Sequence, residues 1–180
     1  MIWFTADYHL GHRNIIKYCN RPFETVEKMD EYILSLLDKM TNPGDTLYYL
    51  GDLTFKEALA ELFFDQFKDL EIHYLIGNHD NSKVIKVARE HCASVSQIKD
   101  VSIEGQSITL CHYAMRVWNK SHFNAWQLYG HSHGTLAPEG KQYDVGVDNN
   151  QFLPRSFGEL KTIMDELPDN PNYIPPEKRR

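Results

Sequence analysis

The stretch Gly77-Asn78-His79-Asp80 directly follows the apolar run Ile72-His73-Tyr74-Leu75-Ile76, and this pairing of strand and polar turn decides the fold. Short apolar runs bounded by turn residues are typical of buried strands, which present the next side chains in the loop at the strand end. The same pairing occurs twice upstream, where residues 46–50 precede Gly51-Asp52 and residues 2–6 precede Asp7-Tyr8-His9. Three buried strands therefore deliver polar side chains in the same manner.

Helical patterns separate these strands. Residues 24–40 carry apolar side chains at helical spacing and stop at an Asn-Pro-Gly turn, and a further helix is expected to begin at Ser82 as its cap and run to about residue 90. Residues 56–67 predict a helix whose inward side chains are Leu59, Leu62, Phe63 and Phe67. Strands that alternate with helices indicate a parallel sheet with crossover helices.

The second half of the chain changes character. Strand-like segments with short connections cover residues 95–103, 107–113, 125–129 and 142–147, and residues 156–167 predict a closing helix. Two more polar motifs follow strands here, His112 within Leu110-Cys111-His112-Tyr113 and then Gly130-His131-Ser132-His133. The motifs are too far apart in sequence to share one element. They can meet if every strand ends at the same edge, where open α/β sheets place their sites.

In order, the motifs are D-x-H, G-D, G-N-H-D, H and G-H-x-H, and this series resembles the signature of the calcineurin-like metallophosphoesterases. The resemblance covers nearly the whole chain, from Asp7 to His133, and is to the small, single-domain bacterial or phage-type members. It implies an α/β fold, a four-layer α/β/β/α sandwich of two mixed β-sheets flanked by helices. We expect one such domain over residues 1–167 and a Pro-rich C-terminal tail over residues 168–180.

The resemblance also implies two divalent metal ions per chain. The ligands of the first ion would be Asp7, His9, Asp52 and His133, and those of the second Asp52, Asn78, His112 and His131, with Asp52 as the bridge. Carboxylate, imidazole and amide oxygen ligands suit borderline divalent ions. Mn²⁺ is the expected ion, with Fe²⁺, Zn²⁺, Ni²⁺ and Co²⁺ as alternatives. Two such ions can share a hydroxide that attacks the phosphorus and can clamp the attacking and leaving oxygens.

A second group of residues is expected to act on the substrate. The resemblance gives His79 no metal and places it near the leaving-group oxygen, as general acid or charge stabiliser. Asp80 would orient His79 and favour its imidazolium form; the alternative is a simple turn before a helix. His12, Asn14 and Arg21 are candidate substrate contacts. A helix-start role is equally open for Asn14, and a surface ion pair is the favoured alternative for Arg21.

The function implied is a metal-dependent phosphoesterase. The protein phosphatases of the superfamily extend the second motif to G-D-x-V-D-R-G, whereas this chain has Gly51-Asp52-Leu53-Thr54-Phe55. With no capping domain evident, this departure favours a phosphodiesterase acting on a nucleotide or other small diester. A phosphomonoesterase and a nuclease are the alternative enzymes. A non-catalytic scaffold of this fold, such as the retromer subunit, is disfavoured because every ligand position is intact.

The composition of the chain indicates its cellular compartment and the kind of molecule that it binds. The formal net charge of −6 argues against a long nucleic acid as substrate, so a small phosphoester is the expected partner. Three cysteines without a C-x-x-C pair indicate a reducing compartment, and the cytoplasm is the expected location. Residues 1–6 do not have the pattern of a signal peptide, so none is expected, and the sequence has no apolar run long enough to cross a membrane. It leaves the oligomeric state open.

Overall fold

The computed structural model describes residues 1–179; position 180, the last of the predicted tail, lies outside the described residues. Its first β-sheet has the strand order β4-β3-β2-β1-β9. The strands are β1 (Ile2–Thr5), β2 (Thr46–Tyr49), β3 (Glu71–Leu75), β4 (Ser94–Ser96) and β9 (Arg155–Ser156). All neighbours are parallel except β9, which is antiparallel to β1. The predicted parallel sheet of the first half is thus confirmed.

The second sheet has the order β5-β6-β7-β8. Its strands are β5 (Ile98–Ile103), β6 (Gln106–Cys111), β7 (Trp126–Tyr129) and β8 (Gln142–Asp144). The β5–β6 pair is antiparallel and the other two pairs are parallel. The prediction of one strand over residues 95–103 is wrong, because the chain leaves the first sheet at Ser96 and enters the second at Ile98.

Five α-helices accompany the sheets in the described chain: α1 (Ile15–Tyr18), α2 (Val26–Met40), α3 (Glu57–Gln66), α4 (Ser82–His91) and α5 (Phe157–Glu166). Ser156 caps α5 in a reciprocal box with Glu159, which satisfies free backbone donors at the helix start. The cap of α4 is Asn81, whose Oδ1 accepts from the backbone of Lys83 and Val84, so the prediction of Ser82 as cap is wrong by one residue. None of these helices is long and apolar enough to span a membrane.

Two apolar cores lie on either face of the first sheet. Helices α2, α3 and α4 cover one face through buried side chains such as Ile33, Phe63 and Val84. Leu62 points away from this core with 64 % of its surface exposed, so its predicted inward position is wrong; Ala60 and Phe64 take the inward positions beside Phe63. The second core fills the space between the sheets and includes residues of α5. The predicted fold class, two mixed sheets flanked by helices, is confirmed.

Residues 168–179 pack against the loop that follows β6. The Asn170 amide donates to the carbonyls of Ser121 and Ala125, and the Arg179 guanidinium lies 4.7 Å from the centre of the Phe123 ring. The division into a domain of residues 1–167 and a tail from residue 168 stays a prediction.

Candidate metal centre

The polar motifs meet where five strands end. Asp7 follows β1, Asp52 follows β2 and Asn78 follows β3 in the first sheet, whereas His112 and His131 follow β6 and β7 in the second. Hydrogen bonds join the two sets of loops: for example, the backbone of His131 donates to Asp7 Oδ2 at 2.9 Å, and His112 Nδ1 donates to the Leu50 carbonyl at 2.7 Å. The structure therefore brings the predicted motifs to one place.

The seven predicted ligands form two adjoining groups. Asp7, His9 and His133 offer donor atoms that all lie within 4.8 Å of one another, as do Asp52, His112 and His131. Asp52 connects the groups, since its Oδ2 lies 3.6 Å from His9 Nε2 and 3.4 Å from His112 Nε2. The Asn78 Oδ1 lies 3.2 Å from His112 Nε2. Asp52 thus has the central position expected of a bridge.

Several of these donor atoms are buried without a hydrogen-bond partner. They are Asp7 Oδ1, both ring nitrogens of His9, and Asp52 Oδ2. An unpaired buried polar atom costs about 1–3 kcal/mol, and native structures contain few of them. Because these unpaired atoms lie close together, a bound cation could coordinate several of them. Carboxylate oxygens and imidazole nitrogens are the donors that borderline divalent ions prefer.

The backbone is strained at the same positions. Asp7, His9, Asp52, His131 and His133 have φ between 47° and 65°, the left-handed region that non-glycine residues avoid. Each such residue costs about 1–2 kcal/mol. Strain of this kind persists where the surrounding structure fixes a functional geometry. Here it turns the side chains that follow the strands back into the site.

Gly77 and Gly130 lie so close to neighbouring side chains that a larger residue would not fit at either position. A Cβ atom on Gly77 would lie 2.2 Å from Asp52 Oδ1 and 2.6 Å from the Asp52 backbone nitrogen. A Cβ atom on Gly130 would lie 2.6 Å from Asp7 Oδ2. These distances are well below van der Waals contact. The two glycines therefore allow the carboxylates of Asp52 and Asp7 to sit against the neighbouring loop.

Known proteins resemble this chain over most of its length. No family model matches it. An uncharacterized protein of Methanocaldococcus jannaschii is 26 % identical over 174 residues, which are 92 % of each chain. The crystal structure of a protein of unknown function from Aquifex aeolicus superposes with a TM-score of 0.70 and 25 % identity, over 91 % of this chain and 98 % of that one. A phosphoesterase from E. coli superposes more weakly, with a TM-score of 0.49 and 19 % identity over 81 % and 77 %.

Two mixed sheets, with the ordered motif loops gathered at one edge, decide the structural class. This is the arrangement that the sequence resemblance implies, two mixed sheets flanked by helices with the motif loops at one edge. In this fold the first sheet supplies Asp7, His9, Asp52 and Asn78, and the second supplies the remaining three predicted ligands. The site therefore exists only where the two sheets meet.

His79 lies at the mouth of the candidate metal centre. Its side chain is 40 % exposed and its Nε2 lies 3.9 Å from Asp52 Oδ2. The ring of Phe55 packs edge-on against it at 4.9 Å, and the ring of His9 lies at 5.1 Å. His79 thus lies outside both groups of metal donors and faces solvent. Its role as proton donor stays a prediction.

Asp80 does not act in the predicted way. Its buried carboxylate accepts hydrogen bonds from the backbone of Asp52, Leu53 and Gly77 at 2.8–3.2 Å. Among the described residues no hydrogen bond joins Asp80 to the ring of His79, so the prediction that Asp80 orients this ring is wrong. The physical reason is that three backbone donors converge on this carboxylate. Asp80 ties the second motif loop to the third, and this position fixes Asp52.

Both predictions for Arg21 are wrong, because its side chain forms neither a substrate contact nor a surface ion pair. It is only 4 % exposed. Its guanidinium forms a two-point ion pair with Asp148, at 2.8 Å for both hydrogen bonds, and also donates to the carbonyls of Asp7 and Tyr8. These bonds hold the loop after β1 in its strained conformation. The guanidinium has no free edge for a phosphate.

Asp148 is a site residue that the sequence pattern did not reveal. Its Oδ2 accepts a hydrogen bond from His133 Nδ1 at 2.7 Å, which leaves His133 Nε2 for the site. A carboxylate behind a ligating histidine fixes the tautomer and orientation of the ring. The sequence around Asp148 carries no motif. Only the loop geometry after β8 brings it behind the last histidine.

The two remaining candidates behave differently. His12 lines the cavity over the site, and its ring centre lies 5.6 Å from that of His9. Asn14 is exposed, does not line that cavity and makes no capping hydrogen bond with its side chain. The structure therefore places His12 within reach of a ligand and leaves Asn14 at the surface before α1.

Burial sets the proton affinities of the site. It raises the pKa of Asp7 to about 7 and lowers the pKa of His9 to about 3. Burial acts against a charged His133, but the hydrogen bond to Asp148 outweighs it and raises the pKa of His133 to about 10. Without a metal ion, the site therefore holds protons near neutral pH that a bound cation would displace.

A cavity of about 830 Å³ opens over the first group of donors. Its floor includes His9, Asp52 and His133, and its rim includes Tyr18 and Leu136. No lysine or arginine lines it within residues 1–179. A ligand in this cavity would meet the metal donors on one side and apolar side chains on the other.

Proposed function

We propose that this protein is a phosphoesterase that uses two divalent metal ions and acts on phosphodiesters. The main observation behind this proposal is that seven carboxylate, imidazole and amide side chains, with Asp52 at their centre, converge in one place. Several of their donor atoms are buried without a hydrogen-bond partner. The strained backbone at five of these positions supports the same proposal. A small phosphoester is the partner, and the free cysteines support action in the cytoplasm.

The residues present fit such a metal pair. Asp7, His9 and His133 would hold one ion, and Asn78, His112 and His131 the other, with Asp52 shared. Bound there, the ions would neutralise the phosphoryl oxygens and activate a water molecule. Mn²⁺ is the proposed ion, with Fe²⁺, Zn²⁺, Ni²⁺ and Co²⁺ as alternatives, because the donor set combines nitrogen with oxygen and lacks thiolate.

The protein side chains divide the remaining work. His79 would donate a proton to the departing oxygen, because its ring is exposed at the cavity mouth and belongs to neither group of metal donors. The backbone of His79 also donates to Asp52 Oδ1 at 2.8 Å, which orients the shared carboxylate. Asp148 and Arg21 orient His133, and Asp80 orients the loops that carry Asp52. These contacts preorganise the site before substrate arrives.

The charge of the cavity supports diesters over monoesters. A phosphate monoester carries up to two negative charges and gains from a cationic clamp, whereas a diester carries one. The cavity rim offers no lysine or arginine within the described chain, and the second motif lacks the Asp and Arg that extend it in the protein phosphatases. The alternative is a phosphomonoesterase, which the same metal centre can support.

Hydrolysis of two chromogenic esters tests the proposal. Mn²⁺-loaded protein should hydrolyse bis-p-nitrophenyl phosphate faster than p-nitrophenyl phosphate at equal concentration and pH. Elemental analysis of the loaded protein should find two ions per chain. Faster turnover of the monoester would overturn the diester preference, and one ion or none would overturn the dinuclear site. Loss of both activities in Asp52→Asn is the control that assigns turnover to this site.

A further inference from the structure

Two cavities adjoin the candidate metal centre. The first, here the Tyr18 cavity, is the 830 Å³ cavity whose rim carries Tyr18 and Leu136. The second, here the Tyr113 cavity, has a volume of about 470 Å³ and is lined by Asn78, Ile98, Tyr113 and Met115. The first reaches the donor group of His9 and His133, whereas the second reaches the centre at Asn78.

One histidine connects the two cavities. His131 lines the Tyr18 cavity, and its ring packs at 4.8 Å against the ring of Tyr113, which lines the other cavity. The Tyr113 ring also lies 5.1 Å from that of His112. A phosphate at the metal centre would therefore have one cavity beside each donor group.

We infer that the two cavities receive the two ester substituents of a phosphodiester, one in each, and that both substituents are uncharged and apolar or aromatic. This inference rests on the proposed function and names the substrate class of the same site. A monoester has only one substituent and would leave one cavity unfilled.

The lining side chains support uncharged substituents. Tyr18, Leu136, Ile98 and Tyr113 are large apolar or aromatic residues whose surfaces are exposed at the cavities. Covering such surface with an apolar group is favourable, and aromatic rings prefer to pack on other rings. Within residues 1–179 neither cavity is lined by lysine or arginine. Substituents that carry further phosphates would find no partner for their charge, which separates this class from nucleoside triphosphates and long nucleic acids.

The volumes support organic groups of moderate size. Sites for small molecules in proteins have volumes of roughly 300–1,000 Å³, and both cavities fall in this range. A methyl ester would leave either cavity almost empty. An aryl group or a nucleoside would contact its walls.

Binding of two stable anions tests the assignment. Diphenylphosphinate carries two phenyl rings and one negative charge and has no ester bond, and dimethylphosphinate has the same charge without rings. Calorimetry on Mn²⁺-loaded protein should show that the diphenyl anion binds at least tenfold more tightly. Leu136→Ala in the Tyr18 cavity and Ile98→Ala in the Tyr113 cavity should each weaken it by about threefold to tenfold, from lost apolar contact. Their effects should multiply in the double variant, and dimethylphosphinate should bind all proteins equally.

A matched control is Leu62→Ala, which removes an exposed leucine on α3 that lines neither cavity. Equal binding of the two anions, or a diphenyl affinity that only one cavity variant changes, would overturn the inference. Diester hydrolysis that persists with those results would leave the proposed function standing. Ring-dependent binding without hydrolysis of either p-nitrophenyl ester would instead overturn the proposed function and keep the assignment of the two cavities.

Discussion

Replacing Asp148 by Asn should lower both the stability of the protein and its affinity for metal ions. The Asp148 carboxylate accepts two hydrogen bonds from Arg21 and one from His133, at 2.7–2.8 Å. Asparagine keeps the shape but removes the charge, and its amide nitrogen cannot accept. The Arg21 side chain has no exposed surface, so its positive charge would stay buried without a counter-ion.

The magnitude follows from this burial. Removal of one partner from a buried ion pair typically costs about 3–5 kcal/mol, because the remaining charge is uncompensated. The whole free energy of unfolding of a domain is about 5–15 kcal/mol, so the variant should remain folded with a reduced margin. Loss of the carboxylate behind a ligating histidine should also weaken metal binding by about 10- to 100-fold, because the His133 ring is no longer oriented.

Two measurements check the prediction. Urea unfolding in EDTA, followed by fluorescence of the three tryptophans, gives the loss of stability without metal. Competition with a chelator gives the metal affinity. The matched control is Asp65→Asn, whose side chain is 74 % exposed and, within residues 1–179, forms an ion pair only with His91, so its effect should stay below about 1 kcal/mol. An Asp148→Asn protein with the stability and metal affinity of the wild type would refute the role assigned to the Arg21–Asp148–His133 chain.

Four further predictions test other parts of the site. His79→Ala should keep both ions by elemental analysis and lower turnover by about 10²–10⁴-fold, less for p-nitrophenolate than for alkoxide leaving groups; loss of an ion would show that His79 is a ligand. Asp52→Asn should lower metal content and turnover together, and retention of two ions would count against a bridging carboxylate. Gly77→Ala places a Cβ 2.2 Å from Asp52 Oδ1, so it should cost about 1–3 kcal/mol in urea unfolding and reduce metal content, whereas Gly158→Ala, with open space around it, should do neither. In EDTA, stability should fall as the pH rises from 7 to 9, because the folded chain retains protons on Asp7, with a pKa of about 7, and on His133, with a pKa of about 10, that the unfolded chain releases. His9, with a pKa of about 3, acts in the opposite direction only at lower pH, where the unfolded chain binds its proton. The protons on Asp7 and His133 oppose metal binding, so metal affinity by chelator competition should rise from pH 7 to 9. A flat profile in both measurements would contradict this linkage.

The sequence predicts the strands and the place where they meet because local signals mark both. Each of β1, β2 and β3 is an apolar run followed by polar motif residues, and parallel strands in one sheet must end at the same edge. The transfer between sheets at Gln97 could not be predicted in this way. Residues on both sides of it alternate as strand residues do, and no glycine or proline marks the break.

The side-chain contacts within the site were harder to predict than the residues that form it. The motif order and the resemblance it carries name the seven predicted donors, but they do not reveal which way a carboxylate or guanidinium points. Asp80 faces backbone amides and Arg21 faces the interior, because these partners come from loops distant in sequence. Asp148 belongs to no motif and is separated from Arg21 by 127 positions. Such contacts depend on the packing of two sheets, which local patterns do not encode.

The division of the donors between two sheets has a consequence for folding. Asp7 and Asp52 follow strands of the first sheet, and His112 and His131 follow strands of the second, so neither sheet can bind metal tightly by itself. A bound ion pair would couple the two halves into one cooperative unit, because opening either sheet would release the ions. Without metal, the sheets are held together by the core between them and by polar contacts such as the Arg21–Asp148 ion pair. Hydrogen exchange should then find that the amides of β6 and β7 open independently of β2 and β3 in EDTA, and together with them when metal is bound.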